Sequence, residues 1–80
     1  MMYYVLWLKA GETSAVVTIE SPKKSDAYQF AIKEFRKIRN LKPNIAIEVK
    51  TLYESVDLAM ASEFYARLMD QVEKDRLANG

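Results

Sequence analysis

The sequence has neither cysteine nor histidine, and this absence excludes several kinds of functional site. Without cysteine there is no disulfide framework and no thiolate nucleophile, and without histidine there is no imidazole base for proton transfer. A zinc site built from Cys and His ligands is excluded for the same reason. We therefore predict no cofactor, no metal site and no catalytic residue, and we expect the protein not to be an enzyme.

Glycine and proline are scarce, with two of each, so the few turns are easy to locate. Gly11 lies in a short connection between two apolar runs, which predicts a β-hairpin because glycine readily adopts a positive φ. Pro22 follows the second of these runs and Pro43 follows a helical segment. Proline is disfavoured inside strands and helices, so both residues mark the end of an element.

Long apolar runs are also absent from the chain. The longest, Met1–Leu8, is too short to cross a bilayer, and no basic residue precedes it as in a signal peptide. The composition, 50% hydrophobic and 29% charged, is typical of a globular protein. We expect one domain over residues 1–80, located in the cytoplasm and without a membrane partner.

Apolar periodicity in the remaining sequence predicts three strands and two helices. The runs Tyr3–Leu8, Ala15–Glu20 and Ile45–Lys50 have the length and the β-branched or aromatic content of strands. Apolar residues recur every three or four positions from about Asp26 to Asn40 and again after Ser55, which predicts helices. The element order is therefore ββαβα, and the fold class is α+β.

The connections predict a three-stranded mixed sheet in the order 2-1-3. The passage from strand two through the first helix to strand three should be a right-handed crossover, which leaves those two strands parallel with strand one between them. A central position explains why strand one is the most apolar. Because three strands about 4.8 Å apart form a sheet narrower than two helices packed about 9 Å apart, both helices can cover one face alone. We predict two helices packed on one face and an open second face.

The first strand is apolar on both of its faces, unlike the two later ones. Successive strand side chains point to opposite faces, so Tyr3, Val5 and Trp7 share the face away from the predicted helices. Either the second helix, a flexible end or Met1 and Met2 cover these residues, or they form a patch that binds a partner. We name Tyr3, Val5 and Trp7 as candidate partner-binding residues of the sheet face, and we expect Trp7 to be partly exposed.

Charge is unevenly distributed, although the formal net charge is only +1. Residues 23–42 contain seven basic and two acidic side chains, whereas residues 53–80 contain three basic and six acidic ones. A basic helix face can attract phosphate or an acidic protein, but it is also the ordinary solvated face of a helix. The segment Ser21–Lys24 also resembles a turn of basic chromatin tails that contacts the DNA minor groove. The candidate basic stripe consists of Lys23, Lys24, Lys33, Arg36 and Lys37.

The last helix is more apolar than packing against the sheet requires. Its regular stripe recurs at spacings of three and four and consists of Leu58, Ala61, Tyr65, Leu68 and Val72. Met60 and Phe64 fall to one side of that stripe, with the spacing of a short helix–helix seam. We therefore predict a homodimer, with Met60 and Phe64 as candidate self-association residues.

The tripeptide Glu48-Val49-Lys50 resembles the acid-x-Lys element of a large family of metal-dependent nucleases, in which this element also lies on a strand. The resemblance covers these three residues and implies metal-dependent hydrolysis. That chemistry needs a second carboxylate to hold the metal. The upstream position that would supply it reads Pro43-Asn44, so the carboxylate is missing there.

Together these patterns favour a small binding or regulatory protein that acts stoichiometrically on a protein partner. The alternative is a nucleic-acid-binding module that uses the basic stripe with help from Phe30, and the third is a nuclease-like protein. Residues of both signs surround the sheet-face patch, whereas binding of single-stranded nucleic acid requires a basic rim. A protein partner is therefore favoured over nucleic acid.

Overall fold

The computed structural model of the chain describes residues 1–79 and contains the five predicted elements in the predicted order. The strands are β1 (Met2–Ala10), β2 (Thr13–Ser21) and β3 (Glu48–Ser55), and the helices are α1 (Lys24–Ile38) and α2 (Leu58–Asn79). The strand order is β2-β1-β3, as predicted. Both pairings are antiparallel, so the sheet is antiparallel rather than mixed, and β2 and β3 run parallel without being neighbours. The α+β class is confirmed.

A tight turn joins β1 to β2. Gly11 has a φ of 62°, and Gly11 and Glu12 are the only residues between the paired positions Ala10 and Thr13. Glycine with positive φ at the first of two central positions is typical of a type II′ turn, whose twist matches that of the flanking strands. Pairing then continues in register from the turn to Met2 and Ser21. The hairpin thus provides two of the three strands.

Helix α1 covers one face of the sheet. Its residues Ala27, Ala31 and Phe35 are buried at helical spacing. The hydroxyl of Tyr28 is hydrogen-bonded to the hydroxyl of Thr51 on β3, so α1 also reaches the strand on the far side of β1. The buried β1 side chains in this core are Tyr4, Leu6, Leu8 and Ala10. One set of alternate β1 side chains is therefore sealed by α1.

Helix α2 covers the opposite face, which corrects the prediction that both helices share one face. Val5 and Ala61 are fully buried but lie outside the core formed with α1. Phe64 of α2 stacks on Tyr53, the β3 residue paired with Val5. The width of the sheet allows both helices on one side, but the apolar second face of β1 requires a covering layer of its own. The molecule is consequently a helix–sheet–helix sandwich.

Helix α2 begins at Leu58, after the connection Val56-Asp57, rather than at the predicted Ser55. Asp57 Oδ1 accepts a hydrogen bond from the N–H of Ala59 at 2.8 Å, and Ser55 Oγ accepts one from the N–H of Asp57 at 3.0 Å. A side-chain oxygen that binds a first-turn N–H is an N-cap, so Asp57 fixes the start of the helix.

The loop before β3 is longer than the sequence pattern indicates. The alternation of residues 45–50 predicts a strand there, but β3 runs from Glu48 to Ser55. The Arg36 guanidinium donates hydrogen bonds to the carbonyls of Lys42 at 2.6 Å and Ile45 at 3.0 Å. These bonds hold the preceding segment against α1, so the strand begins only at Glu48.

Helix α1 ends at a residue with left-handed backbone. Asn40 has a φ of 54°, and its N–H donates to the carbonyl of Lys37 at 3.2 Å. The N–H of Leu41 donates to the carbonyl of Arg36 at 2.9 Å. This pair of bonds is a Schellman ending, and asparagine is one of the few residues besides glycine that tolerate its backbone. The ending turns the chain into the loop that leads to β3.

Candidate partner-binding groove

The predicted sheet-face residues are covered to different degrees by α2. Val5 is fully buried beneath the helix, so the prediction that it contacts a partner is wrong. Tyr3 and Trp7 are half-buried and keep part of their rings at the surface. Trp7 is therefore partly exposed as expected, although α2 and not an open sheet forms its surroundings.

A groove of about 570 Å³ lies between the C-terminal half of α2 and the sheet. Ala61, near the start of the helix, is fully buried, whereas Val72 on the same helical face is 52% exposed. The sheet therefore covers α2 less completely at Val72 than at Ala61. The apolar residues that line the groove are Trp7, Ala15, Val16, Leu52, Leu68, Met69 and Val72.

Few polar side chains line the groove. Ser14 and Lys50 contribute to its lining, and Lys50 is the one charged residue among the lining residues. No carboxylate is among the lining residues. The chemistry of the groove suits the binding of apolar groups, with one cation at the margin.

The residues that resemble a nuclease element lie on β3 beside this groove. Glu48 is paired with Lys9 of β1, and Lys50 is paired with Trp7. Both Glu48 and Lys50 are exposed. Within the part of the chain that the structure describes, no group of three acidic side chains could hold a metal ion. Because its paired residue Trp7 lines the groove, Lys50 lies beside apolar residues and not in a cluster of carboxylates.

The residues of the basic stripe do not form one uniform surface. Lys24 Nζ lies 3.5 Å from a carboxylate oxygen of Glu54, and the Arg36 guanidinium binds two loop carbonyls. Both side chains thus hold parts of the fold together. The other members of the stripe, all exposed, are Lys23, Lys33 and Lys37. They lie on the α1 side of the sheet, whereas Trp7 lies on the α2 side.

The two candidate self-association residues differ in their exposure. Met60 is exposed, but Phe64 is half-buried because its ring stacks on Tyr53 with a centroid distance of 4.7 Å and an interplanar angle of 7°. Such a stack stabilises the packing of α2 on β3. Phe64 is thus part of the chain's own fold, and Met60 is the exposed member of the predicted seam.

Several groove residues were not identified from the sequence. Val16 and Leu52 were not candidates, and Leu68 and Val72 were assigned to the core stripe of the last helix. The surplus of apolar residues on that helix was the available signal. It does not show which end of the helix stays uncovered, because that depends on the angle between helix and sheet.

The chain matches no protein-family model, and no curated protein or solved structure matches it significantly. No helix within residues 1–79 is both long enough and apolar enough to cross a bilayer. The interpretation of the groove therefore rests on its own geometry.

Proposed function

We propose that this protein is a stoichiometric binding protein that recognises an apolar segment of a protein partner in the groove between α2 and the sheet. The supporting observation is the groove itself, in which Trp7 lies beneath a helix whose apolar face is half exposed. Its volume falls within the range of concave ligand sites, roughly 300–1,000 Å³. On this proposal the protein acts by covering a surface of its partner and not by catalysis.

Trp7 is the expected anchor of the interaction. It is the single tryptophan of the chain and lies on the central strand. A partner side chain that fills the groove would remove the remaining ring surface from water, and tryptophan is among the residues most enriched at binding hot spots. Lys50, paired with Trp7 on β3, places one cation at the margin. The expected partner segment is therefore apolar with an adjacent carboxylate.

The nucleic-acid alternative requires an aromatic surface and basic side chains on the same side of the molecule. Trp7 does not meet this requirement, because the exposed lysines of the stripe lie across the sheet from it. The alternative therefore depends on Phe30, which is exposed on α1 near Lys33 and Lys37. The salt dependence of the affinity distinguishes a protein partner from nucleic acid, because binding to phosphates weakens steeply as the salt concentration rises and binding through apolar contacts does not.

Val72→Glu tests the groove with little risk to the fold. Val72 is already half exposed, so the substitution places a carboxylate at the groove without burying it. Val56→Glu is the matched control, because Val56 is more exposed still and does not line the groove. Affinity capture from the source cell should recover the same partner with the wild-type chain and with Val56→Glu, but not with Val72→Glu.

Circular dichroism of all three proteins verifies that they are equally folded. Equal recovery of the partner by folded Val72→Glu would contradict the groove as the binding site. Recovery that disappears at moderate salt would instead support the nucleic-acid alternative.

A further inference from the structure

We propose that the free edge of β2 binds a second copy of this chain, so that two three-stranded sheets join into one antiparallel sheet of six strands. The two-fold axis would pass beside β2, perpendicular to the sheet. This surface is separate from Met60 and Phe64 on α2, and the proposal does not depend on the groove at Trp7.

The outer edge of β2 carries backbone groups that no neighbouring strand binds. In an antiparallel pair, alternate residues direct N–H and C=O toward the neighbouring strand. Because a two-residue turn makes Ala10 and Thr13 the first bonded pair, the residues that direct these groups outward are Ser14, Val16, Thr18 and Glu20. The carbonyl of Ser14 accepts a hydrogen bond from the Arg39 guanidinium of α1 at 3.3 Å, which agrees with this direction. Within residues 1–79, no further strand lies beside β2 in the sheet.

This edge lacks the features that usually prevent strand pairing. Natural edge strands carry charged residues, proline or bulges. The segment Thr13–Ile19 contains no charged residue and no proline, and its pairing with β1 has no register shift. The other edge strand, β3, has a register irregularity opposite β1 and the charged residues Glu48, Lys50 and Glu54. The edge that is open to pairing is therefore that of β2.

The number of paired residues and the charges beside β2 together favour one register for the pairing of two copies. With the two-fold axis at Val17, Glu20 lies opposite Ser14 of the second copy and Val16 lies opposite Thr18. This register pairs all four outward-directed residues. An axis at Val16 would place Glu20 opposite Glu12, and like charges directly opposite each other are destabilising. The expected centre of the interface is Val17.

The position of α1 is consistent with the pairing of two β2 strands. Helix α1 packs on both β1 and β2. An axis midway between these two strands lies about half a strand spacing inside β2. The two-fold axis lies about half a spacing outside β2. With strands about 4.8 Å apart, the two copies of α1 would be about 9.6 Å apart on the same face. Packed helices are separated by 8–10 Å, so strand pairing also brings the helices into contact.

Two large apolar side chains of α1 remain exposed in the single chain. Phe30 is 53% exposed and Ile38 is 74% exposed. Ile38 and Glu34 line a narrow gap with Ala15 of β2, and Phe30 precedes Glu34 by one helical turn. Tyr28, on the other side of the helix, reaches toward β3. Phe30 and Ile38 therefore lie toward the β2 edge, where the α1 of a second copy would cover them.

Two measurements on the full chain test this proposal. Light scattering at increasing concentration should give a mass that rises to twice the 9.2 kDa of the chain. Amide hydrogen exchange should show the N–H groups of Val16 and Thr18 protected in the concentrated sample and exchanging rapidly after dilution. The N–H groups of Val17 and Ile19, which face β1, should stay protected at both concentrations.

Substitutions separate this interface from the others. Ile38→Glu and Thr18→Lys should each return the mass to 9.2 kDa, whereas Val56→Glu should remain dimeric. Ile38 is so exposed in the single chain that its replacement leaves the core intact. A wild-type mass of one chain at every concentration would overturn the proposal. A dimer in which Val16 and Thr18 exchange as fast as in the dilute sample would overturn it as well, because another face would then hold the copies together.

Discussion

Truncation of Val5 tests whether α2 covers the second face of the sheet. Val5 is fully buried, between its paired residues Thr18 on β2 and Tyr53 on β3. Val5→Ala removes two buried carbon atoms, which corresponds to about 1.6 kcal/mol of transfer free energy at roughly 0.8 kcal/mol each. The cavity that remains adds to this loss, so we expect a destabilisation of about 2 to 3 kcal/mol.

This loss is large for a chain of 80 residues. At roughly 0.05–0.15 kcal/mol per residue, its total free energy of unfolding should be about 4 to 12 kcal/mol. The melting temperature of Val5→Ala should consequently fall by about 10 to 20 °C, given roughly 4 to 8 °C per kcal/mol in domains of this size.

Urea denaturation of the wild type, Val5→Ala and Val16→Ala provides the measurement. Val16 lies on the same face of the sheet but is half-buried at the groove, so its truncation should cost about 1 kcal/mol or less. The slope of the free energy against urea should be unchanged in both variants. A cost of about 0.5 kcal/mol or less for Val5→Ala would refute the reasoning, because a surface position loses no more than that.

Further predictions concern the end of α1 and the groove. Asn40→Gly should be at least as stable as the wild type, whereas Asn40→Ala should lose about 1 kcal/mol of unfolding free energy in thermal unfolding, because φ is positive at this position. Equal stability of the two variants would contradict the left-handed ending. Arg36→Lys should lose about 1 kcal/mol in urea denaturation, since one ammonium does not reproduce the two guanidinium bonds to the loop carbonyls; an unchanged midpoint would show that these bonds do not stabilise the loop. Trp7→Ala should weaken partner binding by about 2 kcal/mol or more, and Trp7 emission should shift to the blue on binding; an unchanged affinity in a titration would remove Trp7 as the anchor.

The sheet could be predicted because its signals are local. Gly11 marks the hairpin turn, and the apolar pattern on both faces of β1 identifies the central strand. The position of α2 depends instead on packing between distant residues. The connection Val56-Asp57 is compatible with either face, and only the burial of Val5 shows which face the helix takes. The apolar pattern of β1 thus predicts a cover or a ligand for the second face, with the second helix among the possible covers, but no local signal selects α2 over an open face.

The loop before β3 shows why part of the candidate site could not be predicted. Residues 45–49 alternate as a strand does, but the carbonyl of Ile45 is bound by Arg36. Whether a guanidinium contacts a partner or its own backbone depends on where carbonyls lie after folding, and no local pattern encodes that. Val72 is a similar case, because its spacing assigns it to the buried stripe, although it is 52% exposed in the fold.

The most direct test of the groove is NMR mapping of the full chain as it is titrated with the partner recovered by affinity capture. The proposed function predicts that the indole N–H of Trp7 and the side-chain methyl signals of Leu68, Met69 and Val72 shift, while the amides of Lys33 and Lys37 do not. Shifts confined to the α1 residues, with the Trp7 indole unchanged, would contradict the groove as the binding site.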